Sequence, residues 1–249
     1  MDQLGTIRQP VEDELLRYKQ LFDETLTHED DFLGHALGYL RQRKGKMMRP
    51  LLVLLIAKEL GDIRISTLRA AVTLELLHTA RLVHDDVVDE SDERRGQASA
   101  NSVYGNKVAV LLGDYLLSKS LHQAALTGSI ECVDIVAKLG GTLSEGEVFQ
   151  LANIRNEKST EEAYFRIIGS KTAELFAACA ELGARSAHAD DEFVKQAKKF
   201  GEIVGICFQI RDDIFDYYAD SNIGKPTGND MNEGKLTLPA EAHRQKYTF

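Results

Sequence analysis

Apolar residues recur along this chain at the three-to-four-residue spacing of a helix, and the strict alternation of a half-buried strand is missing. The pattern predicts an amphipathic helix over residues 9–26. A second follows to about Arg41, with Thr27 and Asp30 spaced as a capping box. Pro50 stands at the start of a helix through Leu51 to Leu60 that stops at Gly61. Ser66 is placed to cap a long helix with Val72, Leu76, Val83 and Val87 on one side. Further helices are expected over about 106–126, 130–151 and 160–185, the last with Ser159 and Glu162 in capping-box spacing, and from Asp190 to Tyr218.

Composition agrees with an all-α reading. The four prolines are Pro10, Pro50, Pro226 and Pro239, so no helix-breaking ring falls between positions 50 and 226. With 43 % hydrophobic residues the chain can bury a sizeable core, and without a linker or low-complexity stretch it reads as one domain over 1–249. The net charge of -9 argues against general binding to nucleic acid. The first residues are too polar for a signal peptide or a mitochondrial presequence. The longest apolar run, 51–57, is too short to span a bilayer. Three scattered cysteines, Cys132, Cys179 and Cys207, fit small buried hydrophobes in a reducing compartment, and a cytoplasmic protein is expected.

Two quintets break the apolar pattern: Asp85-Asp86-Val87-Val88-Asp89 and Asp212-Asp213-Ile214-Phe215-Asp216. Carboxylates on an apolar helix are costly unless a cation satisfies them. Residues four apart share a helix face, so Asp85 and Asp89 project together, as do Asp212 and Asp216. Oxygen-only donors favour magnesium or manganese over zinc, and two matching clusters suggest one cation site built from two facing helices. A single such cluster could be a solvated acidic helix end; a matched pair is harder to explain that way. Basic residues flank both quintets: Lys46 and Arg49 before Pro50, Arg94 and Arg95 after the first, Lys171 in a long helix, and Lys225 and Lys235 after the second. Cations beside cation-binding carboxylates point to a phosphorylated substrate. His84 reads as a hydrogen-bonded helix residue, because further spaced His ligands of a metal phosphohydrolase are lacking.

In these residues the chain resembles the trans-isoprenyl diphosphate synthases. The segment 75–96 is similar to their first aspartate-rich motif and 208–216 to their second. Gly45 to Pro50, Asn101, Tyr104-Gly105-Asn106, Gly113 to Leu116, Glu145-Gly146-Glu147 with Gln150, and Lys171-Thr172-Ala173 fall in family order. The resemblance implies an all-α helix bundle, orthogonal and antiparallel, of the isoprenoid synthase type around a central apolar cavity, working as a homodimer. It implies a prenyltransferase joining an allylic diphosphate to isopentenyl diphosphate, with about three magnesium ions bridging carboxylates and diphosphate.

By the same resemblance Asp85, Asp89, Asp212 and Asp216 would hold metal. Asp85, Asp86, Asp89, Lys171, Asp212 and Asp213 would form the catalytic set. Arg94, Lys171 and Lys235, with Lys225 nearby, would bind the allylic diphosphate. Lys46, Arg49, His78 and Arg95 would bind isopentenyl diphosphate, and Thr172 and Gln209 would line the site. Product length would depend on Ala80, Leu77 and Arg81. A small Ala80 favours a long product, and Arg81, unusual in the family, would either pair with Asp85 or enter the tunnel. Relatives continue for several helices past the segment 234–239, so the chain reads as shortened. That raises a non-catalytic diphosphate-binding or regulatory subunit as the alternative. A class I terpene cyclase would carry a different second motif.

Overall fold

The computed structural model describes residues 3–42, 45–94, 96–155 and 160–217. Among these the architecture is all-α. The helices are α1 (Gln3–Arg8), α2 (Glu12–Thr25), α3 (Asp31–Arg41), α4 (Met48–Leu60), α5 (Ile65–Val88), α6 (Ala100–Tyr104), α7 (Asn106–Ala125), α8 (Ile130–Arg155), α9 (Glu161–Ile168), α10 (Glu174–Ser186) and α11 (Asp191–Tyr217). A 3-10 turn, Gln9–Val11, joins α1 to α2, and a π-helical turn, Gly169–Ala173, joins α9 to α10. Two very short antiparallel strands, β1 (Glu93–Arg94) and β2 (Gln97–Ala98), make a hairpin that the helical periodicity does not predict.

Several helix starts differ from the sequence expectation. The cap of α3 is Asp30, whose carboxylate accepts the Leu33 N–H at 2.7 Å, while Thr27 instead bonds back to the Asp23 carbonyl. A carboxylate beside the unpaired N–H groups outcompetes a more distant hydroxyl. Helix α5 begins one residue before Ser66, with the Arg64 N–H donating to Thr67 Oγ1 at 3.1 Å. Thr160 caps α9 by accepting from the Ala163 N–H, and Ser159 lies outside the described residues. The helix expected over 9–26 is broken near Pro10, and the one expected over 160–185 is interrupted by the π turn.

The chain divides into two compact units, Met1–Ala137 with Ala178–Ala197, and Lys138–Ala177 with Lys198–Phe249. In the first, α5 is the central element and packs against α2, α4, α6 and α7. It can be central because it is apolar on nearly every side: Leu68, Ala71, Val72, Leu74, Leu76, Ala80 and Val83 are all buried. Helix α10 crosses α4 at Gly183, where a Cβ would sit 2.7 Å from the Val53 carbonyl oxygen. In the second unit the π turn is held at two glycines. A Cβ on Gly146 of α8 would stand 2.6 Å from the Ser170 Cβ, and one on Gly205 of α11 would stand 2.6 Å from the Ala173 Cα. Backbone on both sides therefore approaches the turn too closely for any side chain.

Candidate active site

The first quintet forms the last turn of α5, and its three carboxylates have different surroundings. Asp85 faces Arg81, one turn back, at 3.5 Å, with both side chains largely covered. Asp86 is fully buried and is bound by the Arg94 Nε. Asp89 caps the helix, its N–H donating to the Asp85 carbonyl at 2.8 Å. The chain then reverses through Glu90, at φ 50°, and the hairpin turn at Gly96, at φ 75°, which brings Arg94 back over the helix end. Ser91 N–H donates to the Asp86 carbonyl at 2.9 Å, and Asn101 Nδ2 donates to the Ser91 carbonyl at 3.1 Å. Family-order Asn101 thus fixes the loop that carries Arg94.

His84 behaves as the sequence suggests. Its Nε2 lies 3.2 Å from the Val110 carbonyl and 3.3 Å from Asp114 Oδ1, which tie α5 to α7. Gly113 leaves the space: a Cβ there would collide with the imidazole ring. Deeper along α5, His78, Leu77 and Ala80 are buried. At the start of α4, Lys46 is exposed and its carbonyl accepts from Arg8 Nη2 at 2.7 Å. Met47 takes the left-handed conformation, φ 50°, as the helix opens. Arg49 is half-buried, and its charge reaches Cys179 of α10.

In the second unit, Lys171 and Thr172 both sit on the π turn, a distortion that re-aims side chains and often marks functional positions. Lys171 Nζ bonds Glu147 Oε2 at 2.7 Å and Gln150 Oε1 at 2.8 Å, both on α8. Thr172 Oγ1 donates to Gln209 Oε1 at 2.7 Å, and Gln209 Nε2 donates to Asp213 Oδ1 at 2.8 Å. The other oxygen of Asp213 accepts the Tyr164 hydroxyl at 2.6 Å. Burial pushes the Asp213 carboxyl above its ordinary range; the bonds from Tyr164 and Gln209 oppose this, and the charges of Asp212 and Asp216 add to it.

The two quintets therefore follow one rule. The middle aspartate, Asp86 or Asp213, is buried and bound within its own unit, while Asp85, Asp89, Asp212 and Asp216 keep partial exposure. Among the described residues no three carboxylate, His or Cys side chains form a ready-made metal cage. The donor set still fits magnesium, which takes one or two carboxylates and completes its shell with water and substrate phosphates.

In the first unit the structure gathers Leu77, His78, Ala80, Arg81, Asp85, Asp86 and Asp89 along α5, with Arg94 beside them. In the second it gathers Lys171, Thr172, Gln209, Asp212, Asp213 and Asp216. Arg95, Lys225 and Lys235 lie outside the described residues. Tyr164 is the participant that sequence reasoning missed. A lone tyrosine among the apolar positions of a short amphipathic helix carries no signal of its bond to a carboxylate 49 positions on.

Comparison with known proteins agrees with this geometry. The polyprenyl synthetase family matches residues 30–248. The octaprenyl diphosphate synthase of Escherichia coli (strain K12) is 41 % identical over 217 residues, covering 87 % of this chain and 67 % of that enzyme. The crystal structure of a geranylgeranyl pyrophosphate synthase from Bacteroides thetaiotaomicron superposes with a TM-score of 0.84 at 48 % identity, covering 99 % of this chain and 75 % of that one. A polyprenyl synthase from Caulobacter crescentus CB15, crystallised with calcium and isoprenyl diphosphate, gives a TM-score of 0.92 at 32 % identity, with 98 % and 75 % covered. Family match and aspartate-rich helices together lead to one conclusion: this chain belongs to the polyprenyl synthetase family of prenyltransferases.

Proposed function

We propose that this chain, with 1–249 as a single polyprenyl synthetase domain, condenses an allylic diphosphate with isopentenyl diphosphate, head to tail, to give a long polyprenyl diphosphate. The observation that carries the reading is the shared build of the two quintets: a buried, internally bound middle aspartate flanked by more accessible ones. Asp85 and Asp89 on α5 and Asp212 and Asp216 on α11 would hold magnesium, which would supply positive charge to the leaving diphosphate. Arg94 and Lys171, with Lys225 and Lys235, would grip the allylic diphosphate. Lys46, Arg49, His78 and Arg95 would bind isopentenyl diphosphate, and Thr172 and Gln209 would line the site. The alkene of isopentenyl diphosphate attacks the allylic carbon as its C–O bond breaks. A proton is then lost to the departing diphosphate, so no protein nucleophile is required.

Two relatives are named for different products, octaprenyl and geranylgeranyl diphosphate. The choice of a long product here is supported by Ala80, a small buried residue five positions before Asp85, with Leu77 beneath it. A homodimer in the cytoplasm is the proposed working form. Exposed Val110, Leu111 and Leu121 on α7 support pairing with a second copy, and three free thiols support a reducing compartment.

The test is incubation with farnesyl and isopentenyl diphosphates and magnesium, reading product length. Long polyprenyl diphosphates, reduced by about 100-fold or more in Asp85→Ala and Asp212→Ala, are expected. A folded protein that binds diphosphate yet makes no product would favour the non-catalytic subunit instead.

A further inference from the structure

We infer that Tyr164 is a positioning residue for the second quintet, acting through Asp213 to aim Asp212 and Asp216. The inference rests on the reading of those two aspartates as cation ligands. Three carboxylates within five residues of α11 repel one another, and left to themselves they would spread into alternative rotamers. The structure removes one from that competition. Asp213 is 4 % exposed, and both its oxygens are taken, one by the Tyr164 hydroxyl at 2.6 Å and one by Gln209 Nε2 at 2.8 Å.

The two donors differ in what they anchor. Gln209 lies on α11 itself, four residues before Asp213, so its bond to Asp213 fixes a rotamer, and it reaches outside the helix only through Thr172. Tyr164 lies on α9, is itself buried, and is set by an edge-on contact with Phe165. Its bond therefore fixes the rotation of α11 about its own axis relative to α9. Asp212 and Asp216, four apart, share the face about 100° around the helix from Asp213. A helix pinned at Asp213 presents that face in one direction. Gln209 also accepts from Thr172 on the π turn, so one hydrogen-bonded chain, Thr172–Gln209–Asp213–Tyr164, sets the turn and the quintet together. Loss of a group bonded directly to a metal ligand commonly weakens metal affinity by about 10–100-fold, and Tyr164, one step further out, is expected at the low end of that range.

The experiment follows Mn2+ binding by electron paramagnetic resonance in the presence of inorganic diphosphate, for the whole chain and for Tyr164→Phe, Asp213→Asn, their double variant and Asp212→Ala. Tyr164→Phe is expected to weaken Mn2+ binding about tenfold. The double variant should bind no more weakly than Asp213→Asn alone, because Tyr164 acts through that carboxylate. In turnover, the metal concentration for half-maximal rate should rise while kcat at saturating metal stays within about twofold. Unchanged Mn2+ binding in Tyr164→Phe alongside weakened binding in Asp212→Ala would overturn the inference and leave the functional reading standing. Multiplying losses in the double variant would overturn it as well. Unchanged binding in Asp212→Ala would overturn both. Should Tyr164→Phe not fold, Asp213→Asn carries the test alone, because Tyr164 acts only through that carboxylate: unchanged Mn2+ binding there, beside weakened binding in Asp212→Ala, would overturn the inference.

Discussion

The Arg81 guanidinium lies 3.5 Å from the Asp85 carboxylate, one turn further along α5. The contact is the ion pair that the i, i+4 spacing allows, and it supports the pairing role over entry into the tunnel. An arginine in this place holds a positive charge against a carboxylate that is read as a magnesium ligand, so it competes with the metal for the same oxygens. Arg81→Ser is expected to lower the magnesium concentration for half-maximal activity by roughly threefold to tenfold, since the pair, though largely covered, keeps enough contact with solvent to be partly screened. Product length should not change. A magnesium titration with product analysis checks this, and a shifted product length at unchanged magnesium dependence would restore the tunnel role.

Gly113 and His84 make a second coupled pair. A methyl group at position 113 would overlap the imidazole, which then could not keep its contacts with Val110 and Asp114. Gly113→Ala should displace the partly exposed imidazole and destabilise the protein by at most about 1 kcal/mol, because the helix gains propensity as it loses the His84 contacts. The same substitution made on a His84→Ala background should cost much less, because the colliding ring is gone. Thermal melts of the four proteins give the coupling directly.

The three thiols should separate by reactivity. Burial pushes the Cys179 thiol up to about 12, against the opposing charge of Arg49, and burial raises Cys132 too, while Cys207 is exposed. The thiolate is the nucleophile, so at pH 8 a disulfide reagent should label Cys207 rapidly and the other two only on unfolding. The sign of the linked stability follows. Below the ordinary value of 9.0 Cys179 is protonated in both folded and unfolded chains, and its contribution is fully present. Between there and about 12 only the unfolded chain ionises, so the contribution is lost as pH rises. Cys179→Ala should flatten the fall of the denaturation midpoint above pH 9.

Much of this protein is local information. Helix periodicity, the absence of proline between positions 50 and 226, and the glycines that end helices place most of the elements within a few residues. The i, i+4 spacing of Asp85 with Asp89 and of Asp212 with Asp216 follows from sequence alone, as does the oxygen-only chemistry. Caps are less legible, because several hydroxyls and carboxylates compete for the same N–H groups. Asp30 displaces Thr27 on geometry that a spacing rule does not contain.

What the sequence by itself determined, then, is an all-α chain with two acidic helix segments and the cations near them, since both properties depend on residues a turn or two apart. Tertiary structure alone decided which aspartate of each quintet is withdrawn from solvent, that Arg94 folds back onto Asp86, and that Tyr164 reaches Asp213. It also decided the π turn at Lys171, which is pressed between backbones at Gly146 and Gly205. Each of these is a contact between segments distant along the chain or set by a packed neighbour. A helical repeat of three to four residues records which face is buried, and not what that face will meet.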